Sequence, residues 1–184
     1  MNKVYRDIAL THFPNATIII DKFHVIHYIT WVLENVRKRF QKDMHPSKRK
    51  YFKRSRRILL SHYRYLSDEN KLALEVMLQQ SYDLAQAYYL KELFFDFMDS
   101  ENSDVAKPKL RKFIISAQVS KLKEFNATLT MLGNWSKYIL NAFDCSYSNG
   151  FTEGSNNKIK VIKRNGYGFR NFENFRNRIL LSMT

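Results

Sequence analysis

The sequence predicts a predominantly α-helical fold, and three observations support this prediction. Apolar residues recur at intervals of three and four along much of the chain, which is the spacing of one helix face. The 184 residues include only five Gly and three Pro, too few for the many turns of a β-sandwich. The one clear strand signal is the short apolar run ATIII at residues 16–20.

The first forty residues are predicted to form a helix, a strand and a second helix. Residues 2–13 carry apolar side chains at helical spacing, and Pro14 ends the pattern. The β-branched run 16–20 favours a buried strand that ends at Asp21. From residue 22 the apolar positions are four, three, four and four residues apart, which predicts a helix that reaches about Phe40.

The rest of the chain is predicted to be helical, with short interruptions. A basic helical stretch is expected at 47–65, and Ser67 is expected to cap one long helix over 67–98. Residues 100–108, SENSDVAKP, favour a loop. Two or three helices are expected between 109 and 143, and a last helical region is expected after the polar residues 144–150.

The positive charge is concentrated in two blocks. The chain carries 31 Lys+Arg against 17 Asp+Glu, a net charge of +14. Eleven Lys or Arg lie within residues 37–57, beside the single acid Asp43, and seven lie after Gly154. Residues 66–106 are acidic, with nine Asp or Glu and two Lys. Two separated basic blocks indicate two surfaces for the phosphates of a nucleic acid.

Several function classes are disfavoured by what the sequence lacks. A single cysteine, Cys145, excludes an intramolecular disulfide and makes a cysteine zinc site improbable. No run of 18 apolar residues is present, so we expect no membrane span. The G-x-x-x-x-G-K-[ST] phosphate loop and the G-x-S-x-G elbow are both absent.

A row of polar residues near the C-terminus is the first candidate site. Glu153 is followed at i+3, i+4, i+7 and i+10 by two amides and two lysines, which a helix would place on one face. These four residues are Asn156, Asn157, Lys160 and Lys163. Such a face suits a carboxylate-bound Mg²⁺ beside a nucleic-acid backbone. The alternative is that Glu153 only complements a helix dipole and the lysines are solvated.

Asp21 is the second candidate. A carboxylate at the C-terminal end of a buried strand is where α/β enzymes place metal ligands and bases. The competing interpretation is an N-cap for the helix that begins at Lys22, and position alone favours this cap.

Two blocks of the sequence resemble a known family. Residues 14–26, PNATIIIDKFHVI, resemble the P-x-A … D-[RK]-[FW]-H block of the ISL3-type insertion-sequence transposases, a family of DDE enzymes. Residues 148–180 resemble that family's C-terminal block, in the order Asn-Gly, Glu-Gly, Asn, Ile-Lys, Lys-Arg and Tyr-Gly. The helices between the two blocks resemble the family's all-α region.

The resemblance implies a ribonuclease-H-like catalytic domain with three acids that hold two Mg²⁺ (or Mn²⁺) ions and cut and join DNA. It implies that Glu153 is the third acid and a metal ligand, whereas Asp21 is the weaker candidate. The expected division is a partial core of helix, strand and DKFH motif at 1–27, a helical insertion at 28–143, and the catalytic-Glu helix with a basic tail at 144–184. The fold class expected is thus predominantly α in this piece, as part of an α/β domain.

The two basic blocks and the polar face that follows Glu153 also indicate which residues contact DNA. The candidates are Lys48, Arg49, Lys50, Asn156, Asn157, Lys158, Lys160, Lys163, Arg164 and Arg170. The partners expected are transposon-end and target DNA, a homo-oligomer in the transposition complex, and no membrane, in the bacterial cytoplasm and nucleoid.

The family's first two acids precede the matching blocks, and the chain opens at Met1 as if within a helix. We therefore expect a C-terminal portion of a transposase that lacks one or both catalytic aspartates, is inactive alone and does not bind Mg²⁺ stably. A non-catalytic nucleic-acid-binding remnant or regulatory module is the alternative. A third hypothesis is a helical protein-interaction domain built on the acidic region 67–98.

Overall fold

The structure is a computed structural model that describes residues 2–42, 44–145, 147 and 149–183, without the side chain of Arg54. Three residues used in the sequence arguments, Met1, Asp43 and Ser148, lie outside the described residues. The chain divides into two compact units, Met1–Ser146 and Tyr147–Thr184. The predicted boundaries at residues 27 and 143 stay predictions.

The described residues form ten α-helices. In chain order they are α1 Lys3–His12, α2 Lys22–Gln41, α3 Pro46–Arg54, α4 Arg56–Leu60, α5 Asp68–Leu78, α6 Tyr82–Met98, α7 Ser103–Ser120, α8 Asn126–Asn141, α9 Gly150–Asn165 and α10 Phe172–Met183. Two 3₁₀ turns, Tyr63–Tyr65 and Lys123–Phe125, lie between them. The predicted predominance of helix is therefore confirmed.

The strand predicted at residues 16–20 is wrong. The segment has no regular secondary structure, and no strand occurs anywhere in the described ranges. Its backbone instead bonds to α8: the Ile20 N–H donates to the Tyr138 carbonyl at 3.1 Å, and the Asn141 side-chain amide donates to the Ile18 carbonyl at 2.9 Å. A strand requires a neighbouring strand for its hydrogen bonds, and here a helix supplies the partners.

The core of the first unit is centred on α6, which packs against α2 on one side and α7 on the other. Helix α2 contributes the fully buried row predicted from its spacing, which includes Val25, Ile29, Val32 and Val36. An aromatic pair joins α6 to α7: the ring centroids of Phe94 and Phe113 lie 5.0 Å apart. Edge-to-face packing of this kind adds to the energy of burial.

The helix predicted over 67–98 is two helices. Ser67 caps α5 as predicted, since its hydroxyl accepts a hydrogen bond from the Asn70 N–H at 3.4 Å. A second cap then interrupts the pattern, because the Ser81 hydroxyl accepts from the Leu84 N–H at 3.2 Å and starts α6. The apolar period continues across the break, so periodicity alone could not reveal it.

The loop predicted over 100–108 is also mostly helix. Asn102 caps α7, accepting from the Val105 N–H at 3.0 Å, and Asp104 lies in the first turn. Pro108 lies inside the helix, where its missing N–H costs the bond to the carbonyl four residues earlier. Ser, Asn and Asp in this segment are helix-start residues and not loop residues.

A buried lysine donates hydrogen bonds to backbone carbonyls at the C-terminal end of α4. Lys91 of α6 is fully buried, and its Nζ donates to the Leu59 carbonyl at 3.2 Å and to the Ser61 carbonyl. Glu92 Oε1 lies 2.6 Å from the same ammonium. Burial lowers the pKa of Lys91 to about 8, against the opposing hydrogen bond and charge of Glu92. Burial also raises the pKa of the neighbouring Tyr88, whose ring faces the ammonium at 3.9 Å.

The second unit is a pair of helices, α9 and α10, that contact each other. Ile159 and Ile162 of α9 are half-buried, as are Phe175 and Ile179 of α10. The link between them turns through two residues of positive φ, Tyr167 at 51° and Gly168 at 101°. No helix in the described parts of the chain has the length and hydrophobicity that a bilayer crossing requires.

Candidate nucleic-acid interface

Glu153 lies in the first turn of α9, on the polar face that the spacing predicts. Its N–H donates to the Asn149 carbonyl at 2.9 Å, and the Asn149 amide donates to Glu153 Oε1 at 3.2 Å. Glu153, Asn156, Asn157, Lys160 and Lys163 are all exposed. The face is therefore available to a ligand, and its carboxylate lies at the positive end of the helix dipole.

The other predicted basic contacts of the second unit are also exposed. Arg164 lies eleven residues after Glu153 and so returns to the same face of α9, whereas Lys158, five residues after it, lies on another side. Arg170 lies in the link that follows α9. These positions place three groups of phosphate-binding type on or near one helix, and their contact with DNA stays a prediction.

Asp21 is the N-cap of α2. Its Oδ1 accepts a hydrogen bond from the Phe23 N–H at 2.8 Å, and the residue is half-buried. The capping interpretation therefore accounts for an aspartate at this position. Asp21 belongs to the first compact unit and Glu153 to the second.

The fit of a metal ion can be tested on the donors themselves. Mg²⁺ and Mn²⁺ prefer carboxylate, carbonyl and water oxygens. Glu153 supplies one exposed carboxylate, and nearby Asn149 supplies an amide. Within the described residues no three His, Cys, Asp or Glu side chains form a group that could hold a metal ion. One carboxylate does not fit a two-metal centre.

Among the side chains that the structure describes, Arg37, Arg39 and Arg56 of block 37–57 form ion pairs with acids. The buried Arg37 pairs with buried Glu34, with Nε to Oε2 at 2.9 Å, and Arg56 Nε lies 3.1 Å from the same Oε2. Arg39 pairs with Glu124 at 2.6 Å and Asp83 at 2.9 Å.

These ion pairs shift the pKa values of Glu34 and Arg39. Burial alone would raise the pKa of Glu34, but the hydrogen bonds and charges of Arg37 and Arg56 lower it. Hydrogen bonds to Glu124 and Asp83 raise the pKa of Arg39. Glu34 and Arg39 therefore stay charged near neutral pH, and the Arg37–Glu34 pair is part of the buried interior.

A cleft between the end of α2 and α3 brings together paired and unpaired cations of block 37–57. We call this cleft the basic groove. Its volume is about 860 Å³, and its lining consists of Arg37, Lys38, Arg39, Gln41, Lys42, Met44, Pro46, Arg49, Lys50 and Lys53. The structure therefore brings the predicted Arg49 and Lys50 together with Lys38, Lys42 and Lys53, which the sequence argument did not single out.

Lys48, the third predicted contact of this block, does not line the basic groove. It borders a separate cleft of about 500 Å³ with Ser47, Tyr51, Phe52, Val76, Met77 and Gln80. On a helix, Lys48 lies about 100° from Arg49, so neighbours in sequence face different sides. Counted from Pro46, the helical spacing i+3, i+4, i+7 selects Arg49, Lys50 and Lys53 and leaves out Lys48. The sequence therefore contains the signal that separates Lys48 from the groove residues.

The molecule is thus a basic helical protein with a carboxylate–amide–lysine face on α9 and a cationic groove on α2 and α3. Residues 1–179 match the ISL3-type DDE family, whose members are described as transposases. The chain belongs to this transposase family.

Two curated relatives bear on this assignment. The chain is 28% identical to the transposase for insertion sequence element IS1001 of Bordetella parapertussis over 178 residues, which are 95% of this chain and 44% of that protein. It is also 53% identical over 55 residues to a protein named ATP-dependent protease from Lactococcus lactis subsp. lactis, 28% of this chain and 18% of that protein. The chain spans less than half the length of each relative. No solved structure matches it.

Proposed function

We propose that this chain is the portion of an insertion-sequence transposase that supplies the third metal-binding acid, Glu153, and holds DNA beside it. The observation that carries the proposal is the exposed face of α9, on which one carboxylate stands at the head of a row of amides and lysines. This face coincides with the block that resembles the family's C-terminal motif. Such an arrangement can bind a phosphodiester through its lysines while the carboxylate holds a cation.

The proposal assigns different tasks to the two ends of α9. Glu153 and Asn149 form its N-terminal end, where oxygen donors suit Mg²⁺ or Mn²⁺. Lys160, Lys163 and Arg164 form the later part, where positive charge neutralises the DNA backbone. In the intact family a bound metal pair would activate water and a DNA 3′-hydroxyl for attack on phosphodiesters.

We further propose that this chain alone does not cleave DNA. Two-metal catalysis needs several carboxylates around both ions, and α9 presents one on its polar face. Asp21 is engaged as a helix cap through Oδ1, which supports a structural role more than a catalytic one. The other acids, and the α/β ribonuclease-H-like core that would carry them, are assigned by the family resemblance alone.

The proposal is tested by DNA binding and cleavage with and without metal. Fluorescent duplexes carrying transposon-end sequence are titrated with the chain in EDTA and in Mn²⁺, and the products are examined for nicks. We expect binding without cleavage, and Mn²⁺ should strengthen this binding because a DNA phosphate joins Glu153 in holding the ion. Glu153→Gln should bind several-fold more tightly in EDTA, because a charge repelling phosphate is removed, and should lose the response to Mn²⁺.

Glu173→Gln is the matched control, because Glu173 also lies in the first turn of an exposed helix, α10. It should respond to Mn²⁺ as the unmodified chain does. Equal behaviour of the two variants would refute the role of Glu153. Binding without any Mn²⁺ effect would favour the non-catalytic nucleic-acid-binding module, and reproducible nicking would refute the inactivity of the chain.

A further inference from the structure

We propose that the basic groove between α2 and α3 is a second DNA site, which grips one strand of the phosphodiester backbone. The proposal rests on the proposed function for the identity of the partner and adds a site remote in sequence from α9. It is carried by the shape and charge of the groove and not by the family resemblance.

The two walls of the basic groove are each one face of a helix. On α3, Pro46, Arg49, Lys50 and Lys53 are spaced i, i+3, i+4 and i+7. On α2, Lys38 and Lys42 are four residues apart at its C-terminal end. Cations from two helices therefore converge on one concave space.

Five cations of the groove lining are free to bind a ligand, whereas Arg37 and Arg39 pair with acids. Lys38, Lys42, Arg49, Lys50 and Lys53 are exposed, and none of them forms an ion pair with an acid of the described chain. The groove lining contains no acid among the residues that the structure describes. Clustered cations without counter-charges are costly unless a polyanion or dissolved counterions neutralise them, and release of those counterions favours DNA binding.

A buried network fixes the distance between the walls. Arg37 donates to Gln41 Oε1 at 2.5 Å and to Glu34, and Gln41 Nε2 donates to the Arg49 carbonyl at 3.2 Å. Glu34, Arg37 and Gln41 are all less than a tenth exposed. The end of α2 is therefore tied to α3 beneath the lysines, which makes the groove a pre-organised site.

The dimensions suit a nucleic-acid strand. Arg49 and Lys53 are separated by about 6 Å along α3, at 1.5 Å per residue. Successive phosphates of one DNA strand advance about 3.4 Å along the helix axis, so this wall spans roughly two phosphates. A bilayer surface is a poorer match, because the lining has only Met44 and Pro46 as apolar residues and is concave.

The test is the salt dependence of duplex binding by the full chain. In the groove variant, Lys38, Lys42, Lys50 and Lys53 are all changed to Gln. If each contacts a phosphate, the slope of log K against log salt should fall by about 3 to 4, at about 0.9 per phosphate. The control variant changes four exposed lysines elsewhere in the first unit to Gln: Lys107, Lys112, Lys123 and Lys137.

The outcomes separate this proposal from the proposed function. A reduced slope in the groove variant alone, with the melting temperature preserved, supports the site. Unchanged or equally reduced slopes in the two variants would overturn it while leaving α9 as a DNA contact. If the unmodified chain shows no salt-sensitive DNA binding, both proposals fail. An unchanged DNA slope with lost binding to phosphatidylserine vesicles would overturn the DNA site in favour of a membrane contact.

Discussion

Replacing Lys91 with Met should remove a pH dependence of stability that the fold builds into α6. The ammonium is buried and is held by the Leu59 and Ser61 carbonyls and by Glu92. Met has a similar length and no charge, so it fills the same space without the titration. The variant also loses hydrogen bonds, and this loss is the same at every pH. The titration of Lys91 is therefore measured by how the free energy of unfolding changes with pH.

The magnitude follows from the difference between folded and unfolded pKa values. The pKa of Lys91 falls from 10.5 to about 8 on folding, which corresponds to a cost of about 3 kcal/mol when the group is protonated. The sign is set by proton binding: between these two values the unfolded chain holds more protons, so stability rises with pH. The cost is fully present below pH 8, and by pH 9.5 about 2 kcal/mol of it should be relieved.

Urea unfolding at pH 7 and at pH 9.5 measures this change. The unmodified chain should gain about 2 kcal/mol relative to Lys91→Met, equivalent to roughly 4–8 °C in Tm. Staying at or below pH 9.5 keeps Tyr88 out of the comparison, since its raised pKa contributes only as the unfolded phenol ionises near pH 10. Lys112→Met, at an exposed position of α7, serves as the control. Parallel pH profiles for Lys91→Met and the unmodified chain would refute the reasoning.

Three further substitutions test other parts of the structure. Glu34→Ala should cost about 3–5 kcal/mol in urea unfolding, since it strands the buried Arg37; a loss below about 1 kcal/mol would contradict the network. Phe113→Ala should cost about 3–5 kcal/mol, whereas Phe151→Ala on the exposed side of α9 should change stability by less than about 0.5 kcal/mol; similar losses would show the core is misplaced. Gly168→Ala should cost about 1 kcal/mol or more, because an alanine is strained at the φ of +101° that glycine adopts freely. Amide exchange in α9 and α10 should become faster, and unaltered exchange would argue against this backbone conformation.

The long, strongly periodic helices could be predicted from the sequence, and the breaks between helices could not. Helix α2 follows its apolar spacing from Val25 to Val36, because one face is buried along its whole length. The interruption at Ser81 lies inside an equally regular pattern, and only the hydrogen bond to the Leu84 N–H marks it. Capping by a side chain is a local choice that the apolar period does not encode.

The strand predicted at residues 16–20 was wrong for a different reason. Its β-branched residues favour an extended backbone, and the backbone is not helical there. A strand also needs a second chain segment to pair with, which is a property of the whole fold. Helix α8 supplies the hydrogen-bond partners instead. The Asn141 amide donates to the Ile18 carbonyl, and the Tyr138 carbonyl accepts from the Ile20 N–H.

The sequence predicts the α9 site more completely than it predicts the basic groove. The face of α9 follows from helical spacing alone, because Glu153 and the residues after it lie on one helix. The basic groove is formed by two helices. Counting charges located the block 37–57 but could not show that Lys38 and Lys42 face the same cleft as Arg49 and Lys50. The neutralisation of Arg39 by Glu124, 85 residues away, is a tertiary contact that no local pattern contains.

The separation of paired from unpaired cations in block 37–57 has a consequence for how this protein can change. Glu34, Arg37 and Gln41 constrain one another, so a substitution at one of them demands a compensating substitution at the others. The groove lysines share no such bonds within the described chain, and each can be lost or gained singly. The DNA affinity proposed for the basic groove can therefore change one charge at a time during evolution, while the buried network beneath it stays the same.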